Sequence, residues 1–333
     1  MKTVFLTNSP NAPCSMFYSS AFSFCDAITI GDGDIGKYDV VLLMTYDHEH
    51  VAHIKHRFPE VKVGLIDPRS ASVSDSVAIS DFLIVDSIEM EDYWRSARKP
   101  IFRYVEYPLI QYEPAVSSRY RAIDKIKVGY HGNAVHLECM SETVTPALES
   151  IAKSRDVELV LMYNGASPTG NESWYPRGVS VKHVNWSLSG YKKLAGCDVG
   201  IAPNNILQNP GVKEFSSSGM PLNFNYKDDD YLIRFKMPSN PGRMIVFGML
   251  GVPVIADFYP SAHELLAGFD QHNRRGLVAN SANGWEYSIS TLVENPEMRF
   301  QMAEALQQYV SKYLSPQVQN ALLMNFLRTE FGG

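Results

Sequence analysis

The most informative stretch of the sequence reads Tyr231-Leu-Ile-Arg-Phe-Lys-Met-Pro-Ser-Asn-Pro-Gly-Arg-Met-Ile-Val-Phe-Gly-Met-Leu-Gly-Val-Pro-Val-Ile-Ala-Asp257. Ser239 is the residue type that caps a helix N-terminus, and Pro241 is tolerated in the first turn, where its missing N–H costs little. The stretch therefore predicts a helix over Arg243–Leu250, followed by a buried strand over Pro253–Phe258. A helix that leads directly into an apolar strand is typical of a parallel α/β sheet.

Cationic residues surround the start of this predicted helix. Arg234 and Lys236 alternate with Phe235, so both cationic side chains point the same way in an extended segment. Arg243 follows Ser239 by one helical turn. A helix N-terminus offers free N–H groups and a dipole that favours anions, so these residues predict a phosphate site. The alternative is a capped surface helix whose cationic side chains are simply solvated. These features alone do not favour the phosphate site over this alternative.

Short apolar runs bounded by turn residues recur along the whole chain, as in parallel strands buried on both faces. The first half contains six predicted strands: Lys2–Thr7, Ala27–Ile30, Tyr38–Tyr46, Val61–Asp67, Phe82–Asp86 and Ile101–Tyr107. The second half contains six more: Lys125–Gly132, Glu158–Asn164, Val179–Trp186, Asp198–Pro203, Pro253–Phe258 and Gly276–Ala279. The segments between them predict helices: His48–Phe58, Ser87–Ala97, Leu137–Ala152, Arg243–Leu250, Ala262–Leu266, Gly284–Glu294 and Glu297–Tyr313.

Two such blocks predict an α/β protein with two Rossmann-like, doubly wound domains facing each other across a cleft. The expected boundaries are 1–110 for the first domain, 111–124 for a polar Pro/Ser linker and 125–314 for the second domain. A last helix at about 315–330 is expected to pack back on the first domain. Ligands bind at the carboxyl ends of parallel strands, so we expect the functional site in the cleft.

Composition excludes several classes of protein. The 333 residues are 45% hydrophobic and 20% charged, which is typical of an ordinary globular protein. The formal charge of −6 provides no net attraction for nucleic acid or anionic lipid, so nucleic-acid binding is disfavoured without being excluded. The four cysteines lack CxxC spacing, which indicates a cytoplasmic protein without a zinc site. No apolar run is long enough for a transmembrane segment, so membrane contact would be peripheral.

Several motifs, strongest over 180–315, resemble the C-terminal domain of GT-B glycosyltransferases, in particular bacterial polysaccharide-type enzymes. They are Cys197-Asp-Val-Gly-Ile-Ala-Pro203, Lys236-Met-Pro-Ser-Asn240, Arg243, Gly248-Met-Leu-Gly-Val-Pro-Val-Ile-Ala256 and Arg275-Gly-Leu-Val278. The resemblance implies a donor domain that binds a nucleotide-sugar, UDP- or GDP-linked, as a co-substrate. It also implies that the donor diphosphate is held without metal, by Arg234, Lys236, Ser239, Asn240 and Arg243.

The chain departs from this family at one point. Many retaining members carry two glutamates eight positions apart, and counting back from Gly251 places Pro238 and Val246 at those positions. Neither side chain hydrogen-bonds a sugar or ribose hydroxyl. The sequence therefore leaves retention or inversion of configuration open.

Further candidates follow predicted strand ends or begin a helix. These are candidates for binding the donor: His131, Gly132, Asn133, Asn185, Trp186, Asn204, Ser261 and Glu264. Each has a structural alternative. Gly132 is equally consistent with a loop glycine at positive φ, and Trp186 with core packing. Ser261 and Glu264 have the spacing of a capping box.

The histidine-rich segment from Tyr46 to His56 does not have the spacing of a metal site, so we predict a polar helix face. Asp47 and His48 directly follow a predicted strand and are candidates for acceptor binding. In an inverting reaction either one is a candidate general base. The connection 205–219 is long enough for a lid or a specificity loop, or for a disordered insertion.

The sequence thus predicts a metal-independent glycosyltransferase that moves a sugar from a nucleotide-sugar to a hydroxyl acceptor on a glycan or glycoconjugate. Two alternatives stay open: a non-catalytic nucleotide- or glycan-binding protein, and a sugar transferase acting on a nucleic-acid base. A sugar-nucleotide epimerase of the same fold would need acid and base groups on both faces of the bound sugar, and the sequence offers no convincing set.

Overall fold

The computed structural model describes residues 1–31, 33–44, 47–68, 73–108, 120–204, 241–267 and 274–332. Within these ranges the chain forms two compact units. Unit 1 comprises 1–108 and 313–332, and unit 2 comprises 120–204, 241–267 and 274–312.

Twelve strands of the described residues form two parallel sheets of six strands each. In chain order they are β1 (Thr3–Thr7), β2 (Asp26–Thr29), β3 (Val40–Met44), β4 (Lys62–Ile66), β5 (Phe82–Val85), β6 (Ile101–Arg103), β7 (Lys125–His131), β8 (Asp156–Tyr163), β9 (Ser180–Asn185), β10 (Val199–Ala202), β11 (Val254–Asp257) and β12 (Gly276–Ala279). The α-helices of the described residues are α1 (Pro13–Ala21), α2 (His48–Arg57), α3 (Ser74–Ile79), α4 (Ile88–Trp94), α5 (Val144–Ala152), α6 (Tyr191–Leu194), α7 (Gly242–Met249), α8 (Pro260–Ala267), α9 (Ala282–Glu294), α10 (Pro296–Tyr313) and α11 (Pro316–Phe331).

The sheet of unit 1 has the strand order β2-β1-β3-β4-β5-β6 and is buried on both faces. Successive residues of a strand point to opposite faces. Val4 and Leu6 of β1 accordingly contribute to one apolar cluster, while Phe5 contributes to another. Burial on both faces explains why these strands are continuous apolar runs rather than alternating ones.

Helix α11 packs on the sheet of unit 1. The Tyr104 hydroxyl donates to Oδ1 of Asn320 at 2.8 Å, and Nδ2 of Asn320 donates to the Ala21 carbonyl at 2.8 Å. Leu323 and Leu327 are fully buried in the same cluster as Phe5. The last helix thus closes the core of unit 1, although some 200 residues of unit 2 separate it from β6 in the sequence.

The sheet of unit 2 has the strand order β12-β11-β10-β7-β8-β9. This order places the first strand of the unit, β7, beside β10 and reverses the winding between them, as in a classical Rossmann sheet. Gly200 of β10 lies directly under Phe247 of α7, since a Cβ at Gly200 would be 2.5 Å from Cγ of that ring. Helix α7 is therefore held close to the sheet, next to the strands between which the winding of the sheet reverses.

The predicted α/β fold with doubly wound sheets is confirmed, with differences at individual helices. The helix predicted over Leu137–Ala152 is a 3₁₀ segment, Ala134–Met140, followed by the shorter α5. The short helix α6 has no counterpart in the prediction, and neither do α1 and α3. The latter two bury serines, Ser15 and Ser76, so their polar composition obscures the apolar period that marks a helix. In the described part of the chain no helix has the length and hydropathy needed to span a membrane.

Candidate functional site

A cluster of buried polar groups lies at the carboxyl ends of β7 and β10 in unit 2. Strand β7 ends at His131, and Pro203 and Asn204 directly follow β10. The two strands pair side by side at the reversal of the winding, which is where ligands bind in open α/β sheets. Helix α7 begins here, at Gly242, with Pro241 in the N-cap position. The N-cap predicted at Ser239 is therefore wrong: the helix begins at Gly242 rather than directly after Ser239, in keeping with the steric bar that a proline places on helical conformation in the residue before it. Ser239 itself lies outside the described residues.

Arg243 connects the first turn of α7 to these strand ends. Its side chain is only 8% exposed, and its Nη1 donates to the Pro203 carbonyl at 2.5 Å. Nη2 lies 3.5 Å from Oδ1 of Asn204, at the limit of a hydrogen bond. A guanidinium carries five N–H donors, so these two contacts do not exhaust it. The structure thus brings together two predicted site residues, Arg243 and Asn204.

Asp257, at the end of β11, holds the backbone of Asn204, whose side chain faces Arg243. Oδ2 of Asp257 accepts a hydrogen bond of 2.6 Å from the backbone N–H of Asn204, which is itself fully buried. Asp257 was not among the site residues predicted from the sequence. The available signal was its position, because it ends a strand of the same parallel sheet and so lies at the same edge as Asn204.

His131 holds the other side of the first turn of α7. Its Nε2 lies 3.0 Å from the Arg243 carbonyl, and because a carbonyl oxygen only accepts, the imidazole donates. The ring packs edge-on against Tyr191 and Phe247, with centroid distances of 5.5 and 5.1 Å. Burial lowers the pKa of His131 to about 3, so the imidazole is neutral at physiological pH. It therefore orients Arg243 without adding positive charge to the site.

Gly132 lies against the side chain of Arg243. Its φ is +137°, a conformation that favours glycine, and a Cβ built on it would be 2.9 Å from Cδ of Arg243. The backbone N–H of Gly132 donates to the Met162 carbonyl at 3.2 Å. The next carbonyl, that of Asn133, accepts a bond of 2.5 Å from the Tyr130 hydroxyl. The missing side chain of Gly132 thus makes room for Arg243, while the exposed Asn133 is held through its backbone.

Asn185 and Trp186 lie at the edge of the sheet. Asn185 is exposed at the end of β9, which β8 separates from β7. Nε1 of the half-buried Trp186 donates to the Tyr191 hydroxyl at 3.1 Å, and Tyr191 in turn packs on His131. Trp186 is therefore linked to the buried cluster through one aromatic residue, and Asn185 is not part of it.

The capping box predicted for Ser261 and Glu264 is wrong. Helix α8 begins one residue earlier, at Pro260, so Ser261 lies inside the helix and is 3% exposed. Proline favours the first helical position, and this signal outweighs that of the serine. The carbonyl of Glu264 accepts a hydrogen bond of 2.8 Å from Nη2 of Arg275, whose guanidinium also stacks on the Tyr309 ring at 3.8 Å. Arg275 thus caps the C-terminal end of α8.

Four predicted site residues, Arg234, Lys236, Ser239 and Asn240, lie outside the described residues, as does the connection 205–219. Their roles stay predictions. Of the two positions where many retaining GT-B enzymes carry glutamate, Val246 is buried in α7 and Pro238 is outside the described residues.

In unit 1, Asp47 caps the N-terminus of α2. Its Oδ1 accepts from the Glu49 N–H at 3.0 Å, and its Oδ2 accepts from Nδ1 of His50 at 2.7 Å. These hydrogen bonds, that from His50 foremost, lower the pKa of Asp47. His48 is an exposed residue in the first turn. His48, and not His50, was predicted from the sequence, although His50 follows the N-cap aspartate by three residues, a spacing that favours contact between the two side chains.

Among the residues that the structure describes, no three histidine, cysteine, aspartate or glutamate side chains come close enough together to bind a metal ion.

No protein-family model and no curated protein sequence matches this chain. Solved structures do. HepE of Anabaena in complex with UDP-glucose is 12% identical, with a TM-score of 0.63 over 99% of this chain and 100% of that one. Sucrose-phosphate synthase of Thermosynechococcus elongatus is 11% identical, with a TM-score of 0.63 over the full length of both chains.

A TarM variant of S. aureus, whose crystals contain UDP, is 11% identical, with a TM-score of 0.56 over 88% of this chain and 55% of that one. At such low identity these similarities establish the fold and not the activity. The chain has the GT-B fold of nucleotide-sugar glycosyltransferases, as its motifs led us to expect.

Proposed function

We propose that this protein is a glycosyltransferase that moves a sugar from a nucleotide-sugar to a hydroxyl group of a glycan or glycoconjugate. Unit 2 binds the donor, and a UDP-linked sugar is the first choice because HepE, which shares the fold along its whole length, was crystallised with UDP-glucose. A GDP-linked sugar is the second choice. A fold hosts many functions, so the proposal depends on the chemistry of the site.

The observation that carries the proposal is the position of Arg243. A buried arginine stands in the first turn of α7, beside the strand ends at which the winding of the sheet reverses. A guanidinium binds phosphate oxygens with two parallel hydrogen bonds, and a helix N-terminus adds N–H donors and a favourable dipole. The contacts with Pro203, Asn204 and His131 orient Arg243 before any ligand arrives.

Such a site suits the departure of a nucleoside diphosphate. When the bond from the sugar C1 to the diphosphate breaks, negative charge develops on the leaving phosphate oxygen. Preorganised cations and N–H dipoles stabilise that charge most strongly in a site from which water is excluded. We assign this role to Arg243, together with Arg234, Lys236, Ser239 and Asn240. Because these groups already neutralise the diphosphate, the reaction requires no metal ion.

The remaining candidates have supporting roles in this proposal. His131, Gly132, Asn133 and Asn204 shape the donor site around Arg243. Trp186 lies next to that cluster, and Asn185 and Glu264 stay candidates for contacts with the outer part of the nucleotide, whereas Ser261, at 3% exposure, is too buried to make one. Asp47 and His48 of unit 1 stay candidates for acceptor binding. In an inverting enzyme one of them takes the proton of the acceptor hydroxyl, whereas in a retaining enzyme the departing phosphate accepts it.

Binding of UDP and GDP, measured by calorimetry with and without EDTA, tests the donor site. We expect binding that is insensitive to EDTA and that weakens by about 10- to 150-fold in Arg243→Ala, the value of one hydrogen bond to a charged group. Arg155→Ala is the matched control, because Arg155 is a half-exposed arginine of the same unit whose ion pair with Glu294 lies at the surface. Equal affinity in the two variants would refute the phosphate site.

Turnover separates the transferase from the non-catalytic alternative. The wild type is incubated with UDP-glucose, UDP-N-acetylglucosamine and the corresponding GDP-sugars, with and without a glycan mixture, and the released nucleoside diphosphate is quantified by chromatography. A transferase releases it faster when an acceptor is present. If the protein binds nucleotide but releases no nucleoside diphosphate from any donor, it is a binding protein that has the GT-B fold and does not catalyse transfer.

A further inference from the structure

Tyr130, the residue before His131 in β7, is fully buried, and its hydroxyl lies at the end of the strand. The hydroxyl donates to the carbonyl of Asn133, three residues along the chain, at 2.5 Å. A hydroxyl has a single proton, so this bond uses its only donor and leaves its lone pairs as acceptors. Any further polar group that contacts this hydroxyl must therefore be a hydrogen-bond donor.

Arg243 is such a donor, and its side chain lies beside the Tyr130 hydroxyl. A Cβ built on Gly132 would be 2.9 Å from Cδ of Arg243 and 3.2 Å from the hydroxyl oxygen, so both side chains border the space that this glycine leaves open. Burial raises the pKa of Tyr130, whereas Arg243 lowers it through its charge and through a hydrogen bond to the phenol. A guanidinium only donates hydrogen bonds, so it matches the acceptor side of the hydroxyl.

Tyr130 and His131 hold Arg243 from the two faces of the sheet. Successive residues of a strand point to opposite faces. The ring of His131 packs on Phe247 of α7, and its Nε2 bonds the backbone carbonyl of Arg243. Tyr130 lies in the apolar cluster on the other face, together with Trp285 of α9, and its hydroxyl meets the guanidinium. Arg243 is thus held at its backbone by one residue and at its side chain by the next.

The bonds of Tyr130 form a chain with one direction, from the guanidinium to the phenol and from the phenol to the Asn133 carbonyl. In such a chain each bond polarises the next, so the phenol oxygen is a better acceptor because its own proton is donated. The Tyr130 ring is packed in the core and cannot follow a moving arginine. Its hydroxyl is therefore a fixed point for the guanidinium.

We propose that Tyr130 is a positioning residue of the donor site. Its hydroxyl accepts a hydrogen bond from Arg243 and fixes the guanidinium in the orientation that meets the donor diphosphate. That the guanidinium meets a diphosphate rests on the proposed function. That Tyr130 fixes the guanidinium does not.

NMR relaxation of the arginine Nε–H groups tests this in the full-length protein without ligand. The signal of Arg243 is identified by its loss in Arg243→Lys. Tyr130→Phe removes the hydroxyl and keeps the ring, and we expect the order parameter of Arg243 Nε–H to fall from that of a rigid group, about 0.85, to that of a flexible one, below about 0.6.

Tyr163→Phe is the matched control. The Tyr163 hydroxyl ends the neighbouring strand, β8, and also donates to a carbonyl three residues along, that of Ala166, at 2.9 Å. Burial and the charge of Glu172, not Arg243, raise its pKa. We expect this variant to leave the order parameter of Arg243 unchanged.

Arg243→Lys examines the same contact without requiring Tyr130→Phe to fold. In protein labelled with ¹³C at tyrosine Cζ, this variant is expected to shift the signal of Tyr130 and to leave that of Tyr163 in place. The proposal is overturned if the Tyr130 signal stays unchanged. It is also overturned if the order parameter of Arg243 is the same in wild type and Tyr130→Phe, or falls equally in Tyr163→Phe.

Calorimetry with UDP shows whether the positioning serves the diphosphate. Tyr130→Phe is expected to raise the Kd about tenfold, the lower limit for one hydrogen bond to a charged group, and by less than about twofold when Arg243 is already alanine. A tenfold effect that persists without Arg243 would show a merely structural role and overturn the proposal. If wild type neither binds UDP nor turns over a UDP-sugar, while the NMR signals respond as expected, the transferase alone is overturned.

Discussion

Replacing Gly132 by alanine is predicted to weaken nucleotide binding through Arg243. The φ of +137° is unfavourable for alanine, and holding such a residue costs about 1–3 kcal/mol of stability. The new Cβ would lie 2.9 Å from Cδ of Arg243, whereas carbon atoms pack best at about 3.5–4.0 Å. The arginine side chain must therefore move by about 0.6 Å or more, away from the position that Pro203 and Asn204 define.

This displacement is expected to cost one charged hydrogen bond to the diphosphate. Such a bond contributes about 1.5–3 kcal/mol, so the Kd for UDP should rise by about 10- to 150-fold in Gly132→Ala. Calorimetric titration with UDP at fixed ionic strength measures the change, and thermal unfolding of the same samples measures the loss of stability.

Gly178→Ala is the matched control for backbone strain. Gly178 also has a positive φ, +72°, but the nearest atom to a Cβ there is Cβ of Ala152, at an ordinary contact distance of 3.9 Å. This variant should lose stability and still bind UDP like the wild type. If the Kd values of Gly132→Ala and Gly178→Ala agree within about twofold, the proposed position of Arg243 against the phosphate is wrong.

Three further predictions concern stability, and urea unfolding measures each. His131 has a pKa of about 3 in the folded protein and about 6.5 when unfolded, so the unfolded state binds the extra proton between these values. The free energy of unfolding should therefore fall with decreasing pH in this window, by about 1.4 kcal/mol per pH unit for this group. In His131→Gln the contribution of His131 to this pH dependence should disappear between pH 6.5 and 5. Asn320→Leu leaves the Tyr104 hydroxyl without its acceptor and should destabilise unit 1 by about 1–3 kcal/mol; an unchanged midpoint would contradict the role given to α11. Gly200→Ala forces a methyl group into the ring of Phe247 and should cost about 1–3 kcal/mol, whereas a neutral effect would show that α7 is free to move away from β10.

The sequence by itself determined the two sheets. Each strand is a short, continuous apolar run because both faces of a parallel sheet are buried, and such runs can be read without knowing their partners. The same logic placed His131, Gly132 and Asn204 at one edge, since residues that directly follow parallel strands meet at the carboxyl end of the sheet. The GT-B motifs were readable because their order along the chain is specific even where each one is short.

Only the tertiary structure decided which groups touch. That Arg243 donates to Pro203 and accepts from His131 depends on the distance between α7 and the sheet, which Gly200 sets from a remote position in the sequence. The start of α8 at Pro260, one residue before Ser261, followed from a competition between two capping signals that the sequence presents equally well. Unit 1 likewise contains a cavity, between α2 and the turn that follows β2, that has no sequence signature, because elements that are separate in the sequence line it. Side chains that are separate in sequence form such a cavity only when packing brings their elements together.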